Sequence, residues 1–148
     1  MKILLDTNVY FALIHDAGYL EQYQWLLMRI APTTYLSSVV RFELLQGARG
    51  DAGRSKVSRA TRQLERAGRV VVPIHEDWVR AGHVQGTLWD RFPALRSKKL
   101  QNDVLIACTA RRIGALLVTE NVADFSIIGR LLPHHIASID RLASLIGI

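Results

Sequence analysis

Five short apolar runs set between helix-patterned stretches constrain the fold of this chain more than any other feature. They are Lys2–Leu5, Thr34–Leu36, Val70–Ile74, Ala115–Thr119 and His135–Ile139. Apolar strands alternating with amphipathic helices imply an α/β domain with a mainly parallel sheet, because parallel strands need helical crossovers that cover the sheet faces.

The intervening segments carry helix punctuation. Thr7-Asn8 offers a cap for a helix near residues 9–15, and Tyr19–Ile30 reads as an amphipathic helix stopped by Pro32. Ser37-Ser38 caps a helix running to about Ala48. Residues 55–67 form a basic helix closed by Gly68, after a flexible-looking loop at Gly50–Gly53. Glu76–Phe92 is helical and ends at Pro93, and Leu100–Ile113 ends at Gly114. Asn121–Leu132 is a turn with a short helix, and Asp140 caps a last one. With no linker or repeat, residues 1–148 are expected to form a single domain.

A hydrophobic fraction of 49% supplies a proper core without staples. The lone Cys108 rules out a disulfide within the chain, and its apolar surroundings make it a small buried hydrophobe. No run reaches the length of a membrane span and no secretion signal is visible, so a cytoplasmic protein without membrane contact is expected. The three tryptophans, Trp25, Trp78 and Trp89, sit at helical positions as core or subunit-interface residues.

The net charge of +6 is concentrated in residues 49–69, which hold seven basic residues and two acids. Arg59, Arg62 and Arg66, with Arg69 beyond, recur at three and four residues and form one stripe on a helix. Such a stripe suits a phosphate backbone, although a solvated face or an acidic protein partner fits it equally.

In open parallel sheets ligands bind beyond the carboxyl ends of the strands. Asp6 follows the first strand directly, and Asn121 and Asp124 follow the strand ending at Thr119. Glu43 lies on the helix after the second strand, sharing a face with Val39, Val40 and Gly47. Asp103 lies in the first turns of the helix leading to Thr119, on a face with Ile106, Ala107 and Ala110. Each acid also has a plain alternative: Asp6 and Asp124 as helix caps, Glu43 paired with Arg41, Asp103 at an exposed helix start. One topology nevertheless brings all four to a single rim. Packed carboxylates repel unless a cation neutralises them, and Mg2+ and Mn2+ are the matching hard ions. A metal held this way generates a nucleophile from water and stabilises charge on a phosphoryl oxygen.

Four segments in order, Ile3-Leu4-Leu5-Asp6-Thr7-Asn8, Ser37-Ser38-Val39-Val40-Arg41-Phe42-Glu43-Leu44, Asn102-Asp103-Val104-Leu105-Ile106-Ala107 and Leu117-Val118-Thr119-Glu120-Asn121-Val122-Ala123-Asp124-Phe125, resemble the motifs of PIN-domain ribonucleases. The likeness extends nearly over the whole chain and is strongest to the VapC toxins of bacterial toxin–antitoxin pairs. It implies a PIN-like three-layer domain and a metal-dependent endoribonuclease. Asp6, Glu43, Asp103 and Asp124 would surround Mg2+ or Mn2+, with Asp6 and Asp103 the surest ligands. Thr7 or Thr119 would orient a carboxylate or water, and Asn8 would brace the pocket. Asn121 stands where some relatives carry a further aspartate, which argues against a fully occupied second metal site. The resemblance also implies an RNA substrate, a cognate antitoxin and a homodimer.

Other chemistries fit less well. A haloacid-dehalogenase phosphatase needs an aspartate where Asn8 stands, and a receiver domain needs paired acids and a late lysine that are not evident. No His-Glu-x-x-His occurs, the adjacent His134 and His135 read as structural, and no Walker-type phosphate loop is present. The remaining competitor is a nucleic-acid- or protein-binding module with the same fold and no catalysis.

Overall fold

The computed structural model describes residues 1–146. Five parallel strands form one sheet in the order β3-β2-β1-β4-β5, where β1 is Lys2–Leu5, β2 Thr34–Ser37, β3 Val70–Val71, β4 Ala115–Val118 and β5 His135–Ala137. The helices between them are α1 (Thr7–His15), α2 (Ala17–Ile30), α3 (Ser38–Gly47), α4 (Gly50–Arg66), α5 (His75–Arg91), α6 (Gln101–Ile113), α7 (Val122–Gly129) and α8 (Ile139–Leu145). Helices α1 to α4 pack among themselves, as do α5 to α7. Right-handed crossovers place the two groups on opposite faces, giving three layers.

The order of connection reverses at β1. From β1 the chain steps outward through β2 to β3, then returns to the other side of β1 for β4 and β5. The crevice beyond the carboxyl ends of β1 and β4 is therefore the topological switch point. Both strands are buried on both faces, and Leu4, Leu117 and Val118 are fully enclosed together with Ile106, Phe125 and Ile128. Each such side chain contributes roughly 1.5–3 kcal/mol by leaving water. Helix α6 turns sharply into β4 at Gly114, whose φ of 66° is open to glycine at little cost. This turn fixes the separation between Asp103 at one end of α6 and Thr119 beyond β4.

Several expected boundaries move for identifiable reasons. Helix α4 begins at Gly50, so the expected Gly50–Gly53 loop is its first turn. Packing overrides weak helix propensity here. Gly53 packs this first turn against Ala48, where an added Cβ would stand 3.4 Å from the backbone, in ordinary van der Waals contact. Strand β3 stops at Val71 rather than Ile74, since Pro73 lacks the N–H that a ladder uses. Helix α1 is capped by Asp6 rather than by Thr7 or Asn8. Ser138, not Asp140, caps α8; the Asp140 carboxylate instead accepts from the Tyr23 hydroxyl. Trp25 and Trp78 are exposed, which removes them from the core. Cys108 is buried as expected, and the His134 imidazole pairs with the Leu132 carbonyl oxygen at 2.6 Å.

Candidate functional site

Asp6 is where the sheet and the site meet. Its N–H donates to the Val118 carbonyl at 2.9 Å, extending the β1–β4 ladder by one residue. Its side chain then turns away from the strand to cap α1. One carboxylate oxygen accepts from the Thr7 N–H at 2.8 Å; the other accepts from the Thr119 hydroxyl at 2.7 Å and from the Asn8 amide at 3.1 Å. The plain alternative for Asp6, a helix cap, is thus true and compatible with a second role. Asp6 is only 4% exposed, and burial raises its pKa, with the Glu43 charge adding to the rise and the three donors opposing it.

A hydrogen-bonded frame spreads from this carboxylate. The fully buried Thr119 hydroxyl also accepts from the Asn121 N–H at 3.0 Å, and the Asn8 amide lies 3.3 Å from it. The Asn8 carbonyl oxygen accepts from the Glu120 N–H at 3.2 Å, tying the turn after β4 to α1. Glu43, one face of α3 away from the core, accepts from the Thr7 hydroxyl at 2.7 Å. Its alternative partner Arg41 is engaged elsewhere, at 2.8 Å from Glu65. Glu43 is thereby turned into the pocket.

Asp103 occupies the third position of α6, where the exposed N–H groups of the first turn favour a negative charge. No side-chain or backbone donor reaches its carboxylate among the described residues. Burial pushes its pKa up to about 7, and the charges of Asp6, Glu43 and Asp124 push the same way against Lys98. Asp6, Thr7, Asn8, Phe11, Glu43, Asp103 and Asn121 line one open pocket of ≈ 320 Å3 at the switch point. Asp124 stands at its edge rather than in its lining. Its carboxylate accepts from Lys98 at 2.8 Å and from the Asn121 amide at 3.1 Å, and Lys98 holds its pKa low.

The four acids and their four supporting residues therefore gather at one rim, with Asp124 peripheral. The basic stripe does not join them. Arg59, Arg62 and Arg66 are exposed, and none lines the acidic pocket. The end of α4 that carries Arg66 leads into β3 at the amino edge of the sheet, where Arg69 donates to the Ala31 carbonyl. Two rim residues escaped the sequence reading. Lys98 lies in a short irregular stretch before α6, and its only sequence signal was the basic run Arg96-Ser97-Lys98-Lys99 directly upstream of an acid. Phe11 is an apolar residue within α1 with no sequence signal that marks it for a rim, yet it is 54% exposed and lines the pocket.

The family model for the PIN domain matches residues 3–131, a span that contains all four acids. The chain belongs to the PIN-domain family. Solved PIN-type relatives superpose over almost the full length. VapBC-1 from nontypeable Haemophilus influenzae shares 25% identity, with a TM-score of 0.66 over 95% of this chain and 99% of that one. DNA-bound VapBC from Salmonella typhimurium shares 20%, with a TM-score of 0.68 over 94% and 98%. VapBC2 from Rickettsia felis, bound to a promoter DNA fragment, shares 20%, with a TM-score of 0.67 over 93% and 98%. No curated protein matches the sequence. This PIN domain thus resembles the chains of these VapBC structures in its fold.

Whether the rim suits a divalent cation can be judged from its donors. Among the described residues no three Asp, Glu, His or Cys side chains are clustered tightly enough to enclose a metal alone. Mg2+ seldom asks for that, since it binds through one or two carboxylates and keeps several waters. The donors offered are hard oxygens, the Asp103 carboxylate has no protein donor on it, and burial, with the neighbouring acids adding to it, raises its pKa. A hard cation suits those oxygens and offsets both the missing donor and the burial of the charge, so the residues fit the ion.

Proposed function

We propose that this PIN domain is a Mg2+- or Mn2+-dependent endoribonuclease and the toxin of a type II toxin–antitoxin pair. The observation that carries the reading is the geometry of the switch-point rim: Asp6, Glu43 and Asp103 line one pocket, no donor among the described residues reaches the Asp103 carboxylate, and burial with the neighbouring charges raises its pKa to about 7. A purely structural rim has no reason to bury a carboxylate without a donor beside two others. In the proposed mechanism Asp6 and Asp103 hold the cation, with Glu43 and Asp124 completing its anionic surroundings. When bound, the metal supplies a water-derived nucleophile and stabilises charge on the phosphoryl oxygen.

The chain's own residues supply the order. Thr119, Asn8 and the Thr7 N–H fix both oxygens of Asp6, so its carboxylate cannot rotate away. Thr7 holds Glu43 toward the pocket. Lys98 and Asn121 restrain Asp124 and reduce the net charge on its side of the rim, in keeping with a single strongly held metal. Arg59, Arg62 and Arg66 offer exposed charge to the RNA backbone farther from the cut.

The partners follow the same reading. Likeness to chains solved within VapBC assemblies supports a cognate antitoxin. A homodimer is supported by the exposed apolar surface of Phe42 (57%), Trp78 (51%) and Val72 (58%) close to the pocket that Asn102 and Leu105 also line. No helix among the described residues is long and apolar enough to cross a membrane, and the proposed site of action is the cytoplasm.

The test is metal-dependent cleavage. Purified protein, freed of any partner, is incubated with total bacterial RNA in Mg2+, Mn2+ or EDTA, for wild type and Asp103→Asn. Discrete cuts that need metal and vanish in the variant are expected. A wild-type protein that binds RNA and never cuts it under either metal would leave a binding module in place of the nuclease.

A further inference from the structure

A second groove neighbours the acidic pocket, and Phe11 lines both. It has a volume of ≈ 310 Å3 and lies between α1, α3 and α4. His15, Arg49 and Lys56 are the charged or titratable groups that line it, and no carboxylate does. Arg49 and Lys56 are exposed, and neither enters an ion pair among the described residues. The nearest acid in sequence, Asp51, is held by Arg54 at 2.7 Å. Phe11 is tilted at 47° to the His15 ring, with centroids 4.4 Å apart, so the two rings form a bent aromatic step.

We propose that this groove is a nucleotide subsite for single-stranded RNA: the nucleotide next to the scissile one stacks its base on the Phe11–His15 step and sets its phosphate between Arg49 and Lys56. The inference rests on the nuclease reading and adds the path of the substrate to it. An acidic pocket repels every phosphate except the one bridged by metal, so a bound strand must leave it toward cations. Lys98 is pinned to Asp124, whereas Arg49 and Lys56 line the neighbouring groove and enter no ion pair among the described residues. Helix α1 is the ruler between the two places. Asn8, Phe11 and His15 are spaced three and four residues apart and share a face, which spans about 10 Å along the axis. That distance suits a neighbouring nucleotide rather than a remote one. An exposed aromatic accepts any base, so the step adds affinity with little sequence choice.

The Asp103→Asn variant, which keeps the substrate intact, is titrated with a fluorescein-labelled ten-nucleotide single-stranded RNA in Mg2+, following anisotropy across a salt series. Added to it, Phe11→Ala is expected to weaken binding roughly tenfold. Phe11→Tyr restores it. Arg49→Ala with Lys56→Ala lowers the slope of log K against log salt by about 1.4, for two phosphate contacts on a single strand at ~0.7 each. Circular dichroism and Tm check the fold of each variant, and the exposed positions of all three residues favour an unchanged result. Unchanged RNA binding in both the aromatic and the basic variants overturns the subsite. If those variants instead lose a copurifying polypeptide while binding RNA normally, the groove belongs to a protein partner and the proposal is also wrong. Cleavage by wild type separates the two levels: RNA cut normally by the groove variants, with unaltered affinity, removes the subsite and leaves the nuclease, whereas absence of both binding and cutting in the parent removes both.

Discussion

Replacing Asp103 by asparagine should make the metal-free protein more stable, not less. The carboxyl rises from 3.8 to about 7 in the folded state. For an acid whose folded pKa is raised, the penalty is absent below the unfolded value, builds as pH climbs toward the folded one, and is complete above it. Wild-type stability should therefore fall between about pH 4 and pH 7. A rise of this size corresponds to a ceiling near 4 kcal/mol at alkaline pH. Asp103 lies at an open rim where solvent screens part of the repulsion, and removing the charge from the first turn of α6 costs about 0.5 kcal/mol of helix-dipole energy. A net gain of about 2 kcal/mol remains, and no hydrogen bond to the carboxylate is lost with it. For a chain of this size that is a rise in Tm of roughly 4–8 °C. The assay is thermal unfolding by circular dichroism in EDTA at pH 8 and again at pH 4. The gain should be full at pH 8 and disappear at pH 4. Saturating Mn2+ should narrow the gap at pH 8 by stabilising wild type more than the variant, because the ion binds the folded state through the carboxylate that the variant lacks. Equal or lower stability of Asp103→Asn at pH 8 in EDTA would refute the claim that this carboxylate is held under repulsion.

Four further outcomes follow from the geometry. Thr119→Val leaves the buried Asp6 carboxylate and the Asn121 N–H each short of a partner and should cost about 1–3 kcal/mol in urea unfolding, with Thr119→Ser close to wild type. Lys98→Ala breaks a half-exposed ion pair worth less than about 1 kcal/mol, yet it removes the one cation opposing the rim acids; calorimetric titration should show tighter Mn2+ binding. Arg59→Ala with Arg62→Ala should leave unfolding stability within about 0.5 kcal/mol of wild type in urea melts, while weakening RNA binding most at low salt. Phe42→Glu with Trp78→Glu should turn a dimer into a monomer in light scattering without loss of helical signal, since both side chains are exposed in the single chain; a persistent dimer would place the interface elsewhere.

The architecture was legible because period and punctuation agree with it. Ile3–Leu5 and Ala115–Val118 are continuous apolar runs, as a strand buried on both faces requires, and Gly114 ends α6 at a left-handed position that turns it into β4. The four acids stood out for a related reason: each interrupts an apolar face or closes a strand, where a charge needs a purpose. Their neighbours were harder. Phe11 has the same spacing as a core residue, and nothing in a single sequence says which side of α1 meets solvent. Gly50–Gly53 looks flexible by propensity, yet it is the first turn of α4 in the folded chain, where packing overrides weak propensity.

The sequence by itself determined the alternation of strand and helix, the parallel sheet and the chemical type of the rim, because these depend on local period and residue class. Tertiary structure decided which groups meet. It set Thr119, 113 residues from Asp6 along the chain, within hydrogen-bond reach of that carboxylate. It gave Arg41 to Glu65 and so freed Glu43 for the pocket, moved Asp124 to the edge with Lys98, and turned the most basic stripe of the chain away from the acids. These are choices among competing long-range partners. Their energies depend on burial and distance in the folded chain, which no local pattern encodes.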